Sequence, residues 1–577
     1  MSDLRVVEGD RDGAGRAGRE GRAASIIGVL GAGTMGAGIA QLACRSGAQT
    51  LLFDPLPEAL EKGRARIEDG LRREAAKGRL TAEQAAEAAE RVSSVGQLSD
   101  LAPCELVIEA VPERIELKHD LYRQLSEIVD ERCVLASNTS SLLVTAIAAA
   151  ASGPERVVGM HFFNPAPVMR LLEVVAGEQS SEEALALALA TGEAMGKTVI
   201  RASDGPGFLV NRCNRPFGLE ALRLLAERIS DVQGIDRICR MEGGFPMGPF
   251  ELMDLVGVDV GFEISKSFYE QSFGEPRWRP SPIAARYVAA GLYGRKSGRG
   301  YYDYGDGPHR PEDPGPPEPA ERGEGVIVIA GESVLAQQLG VAATEAGFEV
   351  RPAHAPLGDA LPALFIDCTP APLAQGAPLL VPPAGAIAAR GGGGAGAVRG
   401  GGVAAGHGGA HLLLCAGASL SALDPAGSAV GFHVLPPFET ARLVELASGE
   451  SSSPLVAARA ERFFAALGRR VEWVGDAPGL VLGRIVCQLI NEAAFALTEG
   501  VGDARDIDLG MVLGLSHPRG PLQWADEIGL EHVLAVLDGL CSEYREERYR
   551  AAPVLRRLVR EGRLGRAAGG GFHPAAR

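Results

Sequence analysis

Ala24-Ser25-Ile26-Ile27-Gly28-Val29-Leu30 runs into Gly31-Ala32-Gly33-Thr34-Met35-Gly36, and a helix with one apolar side follows from Ala37 to Arg45. Gly47 ends that helix, and Thr50-Leu51-Leu52-Phe53-Asp54 is a second apolar strand with an acid at its carboxyl end. Strand, G-x-G-x-x-G, helix, strand, acid: this order predicts a doubly wound, Rossmann-type α/β domain that binds a dinucleotide. The glycines permit the tight turn and let backbone N–H groups approach a pyrophosphate at the helix N-terminus. Asp54 stands where a carboxylate accepts from a ribose hydroxyl and repels a 2′-phosphate, so NAD is expected rather than NADP. Gly31, Ala32, Gly33, Thr34, Met35, Gly36 and Asp54 are the candidate cofactor residues.

Outward from this unit, Leu56 to Val92 reads as helical with a break at Lys77-Gly78-Arg79. Its basic residues, among them Lys62, Lys77 and Arg79, are interleaved with acids and read on charge grounds as a solvated helical hairpin. Leu106-Val107-Ile108-Glu109-Ala110-Val111 is a further buried strand, followed by a helix carrying Lys118 towards the carboxyl edge of the sheet. Cys133-Val134-Leu135-Ala136 is another strand, ending in the hydroxyl cluster Ser137-Asn138-Thr139-Ser140-Ser141. Then comes Met160-His161-Phe162-Phe163-Asn164-Pro165-Ala166-Pro167-Val168-Met169-Arg170-Leu171-Leu172-Glu173-Val174-Val175. Its prolines forbid helix in the middle, so it reads as strand, loop, strand. That layout returns Glu173 beside His161, and an imidazole held by a carboxylate is a general base. After Asp204-Gly205-Pro206-Gly207 the text becomes helical: Phe208 to Arg228 with Asn211 in its first turn, Ser230 to Met241, and Phe250 to Phe273.

The 577 residues suggest about four domains on a prior of roughly 150 residues each. The net charge of -16 argues against nucleic-acid or anionic-membrane partners, since both attract basic surfaces. Nine scattered cysteines form no Cys-x-x-Cys pair, which implies reduced thiols in a cytoplasmic protein and no metal-site spacing. The segment before Arg22 lacks the apolar centre of a secretory signal and is expected to be a disordered leader. No stretch has the length of a membrane span.

Taken together, G-A-G-T-M-G, S-N-T-S-S-L, H-F-F-N-P-A-P-V-M, P-G-F-L-V-N-R and G-F-P-M-G-P-F-E-L resemble the L-3-hydroxyacyl-CoA dehydrogenases over about Ile26 to Tyr304. The resemblance implies an enzyme of fatty-acid metabolism and β-oxidation type. On that resemblance, hydride is expected to pass from C3 of a 3-hydroxyacyl-CoA to NAD, giving the 3-ketoacyl-CoA. It implies His161 as base, Glu173 as its orienting acid, and Ser140 and Asn211 on the substrate oxygens. It further implies Glu113, Lys118, Asn138, Asn164 and Lys296 around the cofactor, and it gives the basic hairpin with Lys62, Lys77 and Arg79 a role on the CoA phosphates.

After a Pro/Gly/Glu-rich linker the pattern restarts at Val326-Ile327-Val328-Ile329-Ala330-Gly331. His433 and Glu445 repeat the His161–Glu173 step, but Pro436, Ala418, Gly483 and Ala567 stand where Asn164, Ser140, Asn211 and Lys296 stood. The chain thus reads as leader 1–23, NAD-binding domain 24–203, helical domain 204–304, linker 305–325, degenerate Rossmann-like copy 326–475 and second helical domain 476–577. His433 and Glu445 are expected to pair structurally. The second helical domain is expected to supply within one chain the surface that single-length relatives use to form a homodimer. The glycine-rich stretch Gly391 to Gly409 reads as a mobile loop. The double-length layout resembles the family members of aerobic phenylacetate breakdown, which act on 3-hydroxyadipyl-CoA. Two other readings are a dehydrogenase of non-CoA hydroxy acids or sugar acids, and a non-enzymatic protein that kept the fold.

Overall fold

The computed structural model describes residues 21–317, 323–355, 362–370, 410–425 and 427–574. Nearly all of the leader and the whole stretch Gly391 to Gly409 lie outside the described residues. The chain divides into two compact units, Met1–Gly205 and Pro206–Arg577.

In the first unit the elements run β1 (Ile26–Leu30), α1 (Thr34–Arg45), β2 (Gln49–Phe53), α2 (Pro57–Ala76), α3 (Ala82–Glu90), β3 (Val92–Val95), β4 (Leu106–Glu109) and α4 (Ile115–Ile128). They continue with β5 (Val134–Ser137), α5 (Val144–Ala148), β6 (Val157–Phe162), β7 (Leu171–Ala176), α6 (Glu182–Ala194) and β8 (Thr198–Ser203). The sheet order is β3-β2-β1-β4-β5-β6-β7-β8. All neighbours are parallel except β6 and β7. Strands covered on both faces must be apolar throughout, and Ile27, Val29, Leu52, Ile108 and Leu135 are fully buried. Each such side chain contributes about 1.5–3 kcal/mol on burial. Thr81 and Gln84 form a reciprocal cap at the start of α3, which sets the break expected near Lys77.

The second unit opens with α7 (Val210–Cys213), α8 (Arg215–Ala226), α9 (Val232–Met241), α10 (Pro249–Val256), α11 (Val258–Gln271) and α12 (Pro282–Ala289). Two helices expected to be continuous are divided. Pro216, in the first turn of α8, has no N–H to bond back to Arg212, so the ladder lapses at Asn214. Gly257, at φ +103, separates α10 from α11, a conformation open mainly to glycine.

A second sheet follows: β9 (Val326–Ala330), α13 (Val334–Ala346), β10 (Glu349–Pro352), β11 (Leu364–Asp367), β12 (His411–Leu414), α14 (Leu420–Leu423), β13 (Val430–His433), β14 (Leu443–Ser448), α15 (Pro454–Ala466) and β15 (Arg470–Val474). Its order, β10-β9-β11-β12-β13-β14-β15, repeats the first sheet without the outermost strand, and its antiparallel step, between β13 and β14, falls at the place equivalent to β6 and β7. The chain closes with α16 (Leu482–Thr498), α17 (Ala504–Leu515), α18 (Pro521–Ile528), α19 (Leu530–Tyr544) and α20 (Pro553–Arg560).

An offset of 272 residues, falling to 271 by Tyr301, relates the two helical regions. Asp236 accepts from Phe250 N and Glu251 N, and Asp508 accepts from Leu522 N and Gln523 N. Asp254 ties Tyr301 N and Tyr302 N as Asp526 ties Phe572 N and His573 N. The regions also exchange buried ion pairs reciprocally. Arg212 Nε donates to Glu492 at 2.9 Å and its Nη2 to Glu499 at 2.6 Å. Arg484, at the position equivalent to Arg212, donates to Glu220 and Glu227, each at 2.6 Å. Each region offers the same residues to the other, the signature of a two-fold-like, self-complementary contact.

Candidate functional site

The candidate site grows from the carboxyl edge of the first sheet. Gly31, at φ +92, turns out of β1; a Cβ there would lie 2.6 Å from Ala110 O, and one on Gly36 would lie 1.7 Å from Gly31 O. Only glycine closes this turn. Gly33 is the N-cap of α1, and a Cβ there would meet nothing within 4 Å, so a polar group has an open approach to the helix N-terminus. Asp54, just past β2, accepts from Ala32 N at 2.9 Å and from Leu56 N at 3.0 Å, so it both shapes the loop and stands beside it. Open N–H groups at a positive helix end, with a carboxylate alongside, fit a dinucleotide. Thr34 and Met35 complete the turn.

His161 is the fifth residue of β6 and pairs in register with Glu173 of β7. Its Nδ1 donates to Glu173 Oε2 at 2.6 Å. His161 is 6% exposed and Glu173 fully buried, so the pair sits where water does not weaken it. Phe163 lies against the imidazole with ring centroids 4.6 Å apart. The loop between the strands is held by Lys197, whose buried Nζ donates to Ala166 O and to Met169 O, the latter at 2.7 Å. Burial, with Arg45 nearby, lowers the Lys197 pKa to about 8. Pro167 of this loop packs so closely on α1 that a Cβ at Gly38 would lie 2.9 Å from its ring. The glycine loop and the histidine strand are thereby joined. Asn164 is exposed on the same loop.

The third wall is the segment after β5. Asn138 Oδ1 accepts from Phe162 N at 2.8 Å, fixing the residue beside His161. Glu113 accepts from Ser140 N at 3.1 Å, Ser141 N at 3.2 Å, Ser141 Oγ at 2.9 Å and the Thr139 hydroxyl. Ser140 itself is exposed. Lys118 is almost wholly buried, with Nζ 2.6 Å from Glu109 Oε1 and 3.2 Å from Glu113 Oε2. Burial raises the Glu109 pKa although Lys118 and the Ser137 hydroxyl both bond to it. At Glu113 burial also pushes up, but Lys118 and the hydroxyls prevail and the pKa falls. Glu113 and Lys118 therefore shape the Ser137–Ser141 segment directly. Glu109, Ser137 and Thr139 were not singled out in the sequence; an acid ending an apolar strand was the available signal.

Lys62, Lys77 and Arg79 are exposed on α2 and the turn after it. Neighbouring Arg64 is engaged with Glu68 and Val92 O. Asn211 and Lys296 belong to the second unit: Asn211 lies in α7, and Lys296 pairs with Asp259 at 2.6 Å.

In the second copy His433 faces Glu445 in register, but the expected bond is not made. His433 Nε2 lies 3.1 Å from His532 Nε2, and its Nδ1 has no hydrogen-bond partner. Glu445 accepts instead from Val481 N and Leu482 N, at 2.7 and 2.9 Å. Glu242 is drawn in as well: a ligand-type atom from each of Glu242, His433 and Glu445 lies within 4.8 Å of the others. Burial raises both carboxyl pKa values, Glu445 to about 8, which favours the protonated form of both acids. The second site has been rebuilt as core. Among the described residues no helix is long and apolar enough to cross a membrane.

Comparison with known proteins agrees with this geometry. Residues 26–205 match the family described as 3-hydroxyacyl-CoA dehydrogenase, NAD binding domain. Residues 207–304 and again 479–574 match its C-terminal domain. The chain belongs to the 3-hydroxyacyl-CoA dehydrogenase family, whose NAD-binding domain defines its cofactor as NAD. It is 33% identical to the 3-hydroxyadipyl-CoA dehydrogenase of Escherichia coli K12, over 92% of this chain and 96% of that one. A probable 3-hydroxybutyryl-CoA dehydrogenase of Deinococcus radiodurans is 41% identical, covering 48% of this chain and 99% of its own. The crystal structure of 3-hydroxybutyryl-CoA dehydrogenase from Escherichia coli K12 superposes with a TM-score of 0.72 at 31% identity, covering 94% of this chain and all of that one.

Proposed function

We propose that the chain oxidises the C3 hydroxyl of an (S)-3-hydroxyacyl-CoA to the 3-ketoacyl-CoA, with His161 as general base and Glu173 as its positioning acid. The carrying observation is the buried Nδ1–carboxylate bond at 2.6 Å. With the Nδ1 hydrogen committed to Glu173, the Nε2 lone pair is the one that takes a proton. The substrate O–H gives its proton to Nε2, the C3–H electron pair leaves as hydride, and the C3–O bond becomes a carbonyl. When bound, NAD supplies the acceptor for that hydride. The imidazolium that forms is stabilised by Glu173, and positioned proton transfer contributes about 10²–10⁴-fold in rate.

Ser140, exposed on a segment that Glu113 fixes, orients the substrate hydroxyl, and Asn211 is assigned to the substrate oxygens by family resemblance. Asn138, Asn164 and Lys296 are assigned to the cofactor, while Lys118 supports it through Glu113. Exposed Lys62, Lys77 and Arg79 offer cations to the CoA phosphates. The reciprocal Arg–Glu contact between the helical regions acts as an intramolecular pseudo-dimer. A cytoplasmic location is part of the proposal, since all nine cysteines are free thiols.

The test is NADH formation with 3-hydroxybutyryl-CoA and 3-hydroxyadipyl-CoA by wild type, His161→Ala and His433→Ala. Turnover lost in the first variant and kept in the second is expected. Equal loss in both would overturn the assignment of the site to the first copy.

A further inference from the structure

Gly63 lets α2 sit directly on the glycine loop: a Cβ there would lie 2.8 Å from Ala32 Cβ and 2.9 Å from Ala32 O. Ile67 and Leu71, each 1% exposed, seat the following turns, and Gly70 packs against Gln41 of α1. Arg66 comes three residues after Gly63, at the neighbouring position on the helix surface. It is exposed, and its Nη1 donates to Ala32 O across 3.4 Å. Ala32 N meanwhile donates to Asp54 Oδ2 at 2.9 Å. One loop residue is thus held by an acid at its N–H and by a cation at its carbonyl.

The other arginines of α2 are committed elsewhere. Arg64 pairs with Glu68, Arg72 with Asp69, and Arg73 donates to Asp69 O. Among the described residues no carboxylate pairs with Arg66, and Ala32 O is its single hydrogen-bond partner. A guanidinium carries five N–H donors, so most of them remain for a ligand beside the loop. Charge gives that ligand its identity. A dinucleotide pyrophosphate is a dianion, whereas a helix N-terminus offers only about half a positive charge. The first turn of α1 adds no charge of its own, and both Asp54 and the net charge of -16 oppose an anion.

The second copy shows the converse. Ser333, where Gly33 stands, accepts from Ala336 N at 3.2 Å, so the start of α13 is capped by its own side chain. The connection from β10 to β11 runs only from Ala353 to Ala363, shorter than the 20 residues of α2. Where the helix end is closed, the helix that would bring a cation to it has no room.

We infer that Arg66 is a further cofactor-binding residue, its guanidinium holding the pyrophosphate of the dinucleotide at the open N-terminus of α1. Its planar pair of donors matches two phosphate oxygens. A CoA thioester also carries a pyrophosphate, but the loop beneath Arg66 is the dinucleotide's, and Lys62, Lys77 and Arg79 are the cations assigned to CoA.

The experiment measures binding to the full chain without turnover, so its result stands apart from the dehydrogenase proposal. NADH is titrated by its fluorescence, adenosine by displacement of NADH, and free CoA by calorimetry, in wild type, Arg66→Met and Arg66→Lys. Arg66→Met is expected to raise Kd for NADH roughly tenfold, with adenosine and CoA unchanged and Arg66→Lys restoring part of the loss. The salt dependence of NADH binding should also weaken in Arg66→Met. An unchanged Kd for NADH would overturn the inference. So would an equal loss for adenosine, which lacks the pyrophosphate and would assign Arg66 to the fold. A loss for CoA at least as large as that for NADH would assign Arg66 to the thioester instead and overturn it too.

Discussion

His161 donates to a carboxylate at 2.6 Å, while His433, at the equivalent place on the equivalent strand, faces the imidazole of His532 at 3.1 Å. The residue alone does not fix its partner; its neighbours do. Gly483 takes the position of Asn211, and a Cβ there would lie 2.4 Å from His433 Cε1. Gly483→Ala is therefore expected to destabilise the protein by about 1–3 kcal/mol, read from urea midpoints, with turnover per folded molecule unchanged. The cluster around His433 also predicts a pH dependence. Glu445 has a folded pKa raised from 4.5 to about 8, so its favourable contribution is present below pH 4.5 and lost as pH rises through 8. His532 is lowered from 6.5 to about 4, and His433 is also lowered, so their contribution is present above 6.5 and lost as pH falls towards 4. Thermal stability should thus peak slightly on the acid side of neutrality. Glu242→Gln should flatten the alkaline decline in a series of melts. An unaltered slope would mean that the two carboxyls do not share a proton.

At the scale of the element, the Ser137–Ser141 segment takes its shape from a buried Glu109–Lys118–Glu113 chain rather than from its own hydroxyls. Lys118→Met strands Glu109 and should cost about 3–5 kcal/mol, measured by chemical denaturation. It should also raise KM for the acyl-CoA substrate, because Glu113 loses its ion pair with Lys118 and holds the Ser140 segment less firmly. The sequence located these elements well. Strand and turn of the glycine loop, the strand–loop–strand around Asn164 and the break after Lys77 were legible because each depends on neighbouring residues. The long helices expected over Phe208 to Arg228 and Phe250 to Phe273 were too continuous. Pro216 and Gly257 carried the warning, but apolar periodicity passes through such positions without interruption.

For the whole molecule, the exchange of Arg212 and Arg484 for Glu492 and Glu220 couples the two helical regions. Burial pushes the Glu220 pKa up, but Arg484 and Arg223 outweigh it and bring it to about 2. Its stabilisation is present above pH 4.5 and is lost as pH falls through 2, so acid should loosen this contact. Arg484→Met leaves Glu220 buried without its main partner and should lower stability by about 3–5 kcal/mol; a calorimetric shift below one degree would argue that the pairing is not cooperative. The chain by itself determined the duplication, the glycine loop and the return of Glu173 to His161, because motif spacing and apolar periodicity are local and survive without a fold. Only the tertiary structure decided that His433 would join His532 and not Glu445, and that Lys118 would be spent on Glu109. Those outcomes depend on which distant side chains share one buried volume, and there the cost of leaving a charge unpaired settles each partner.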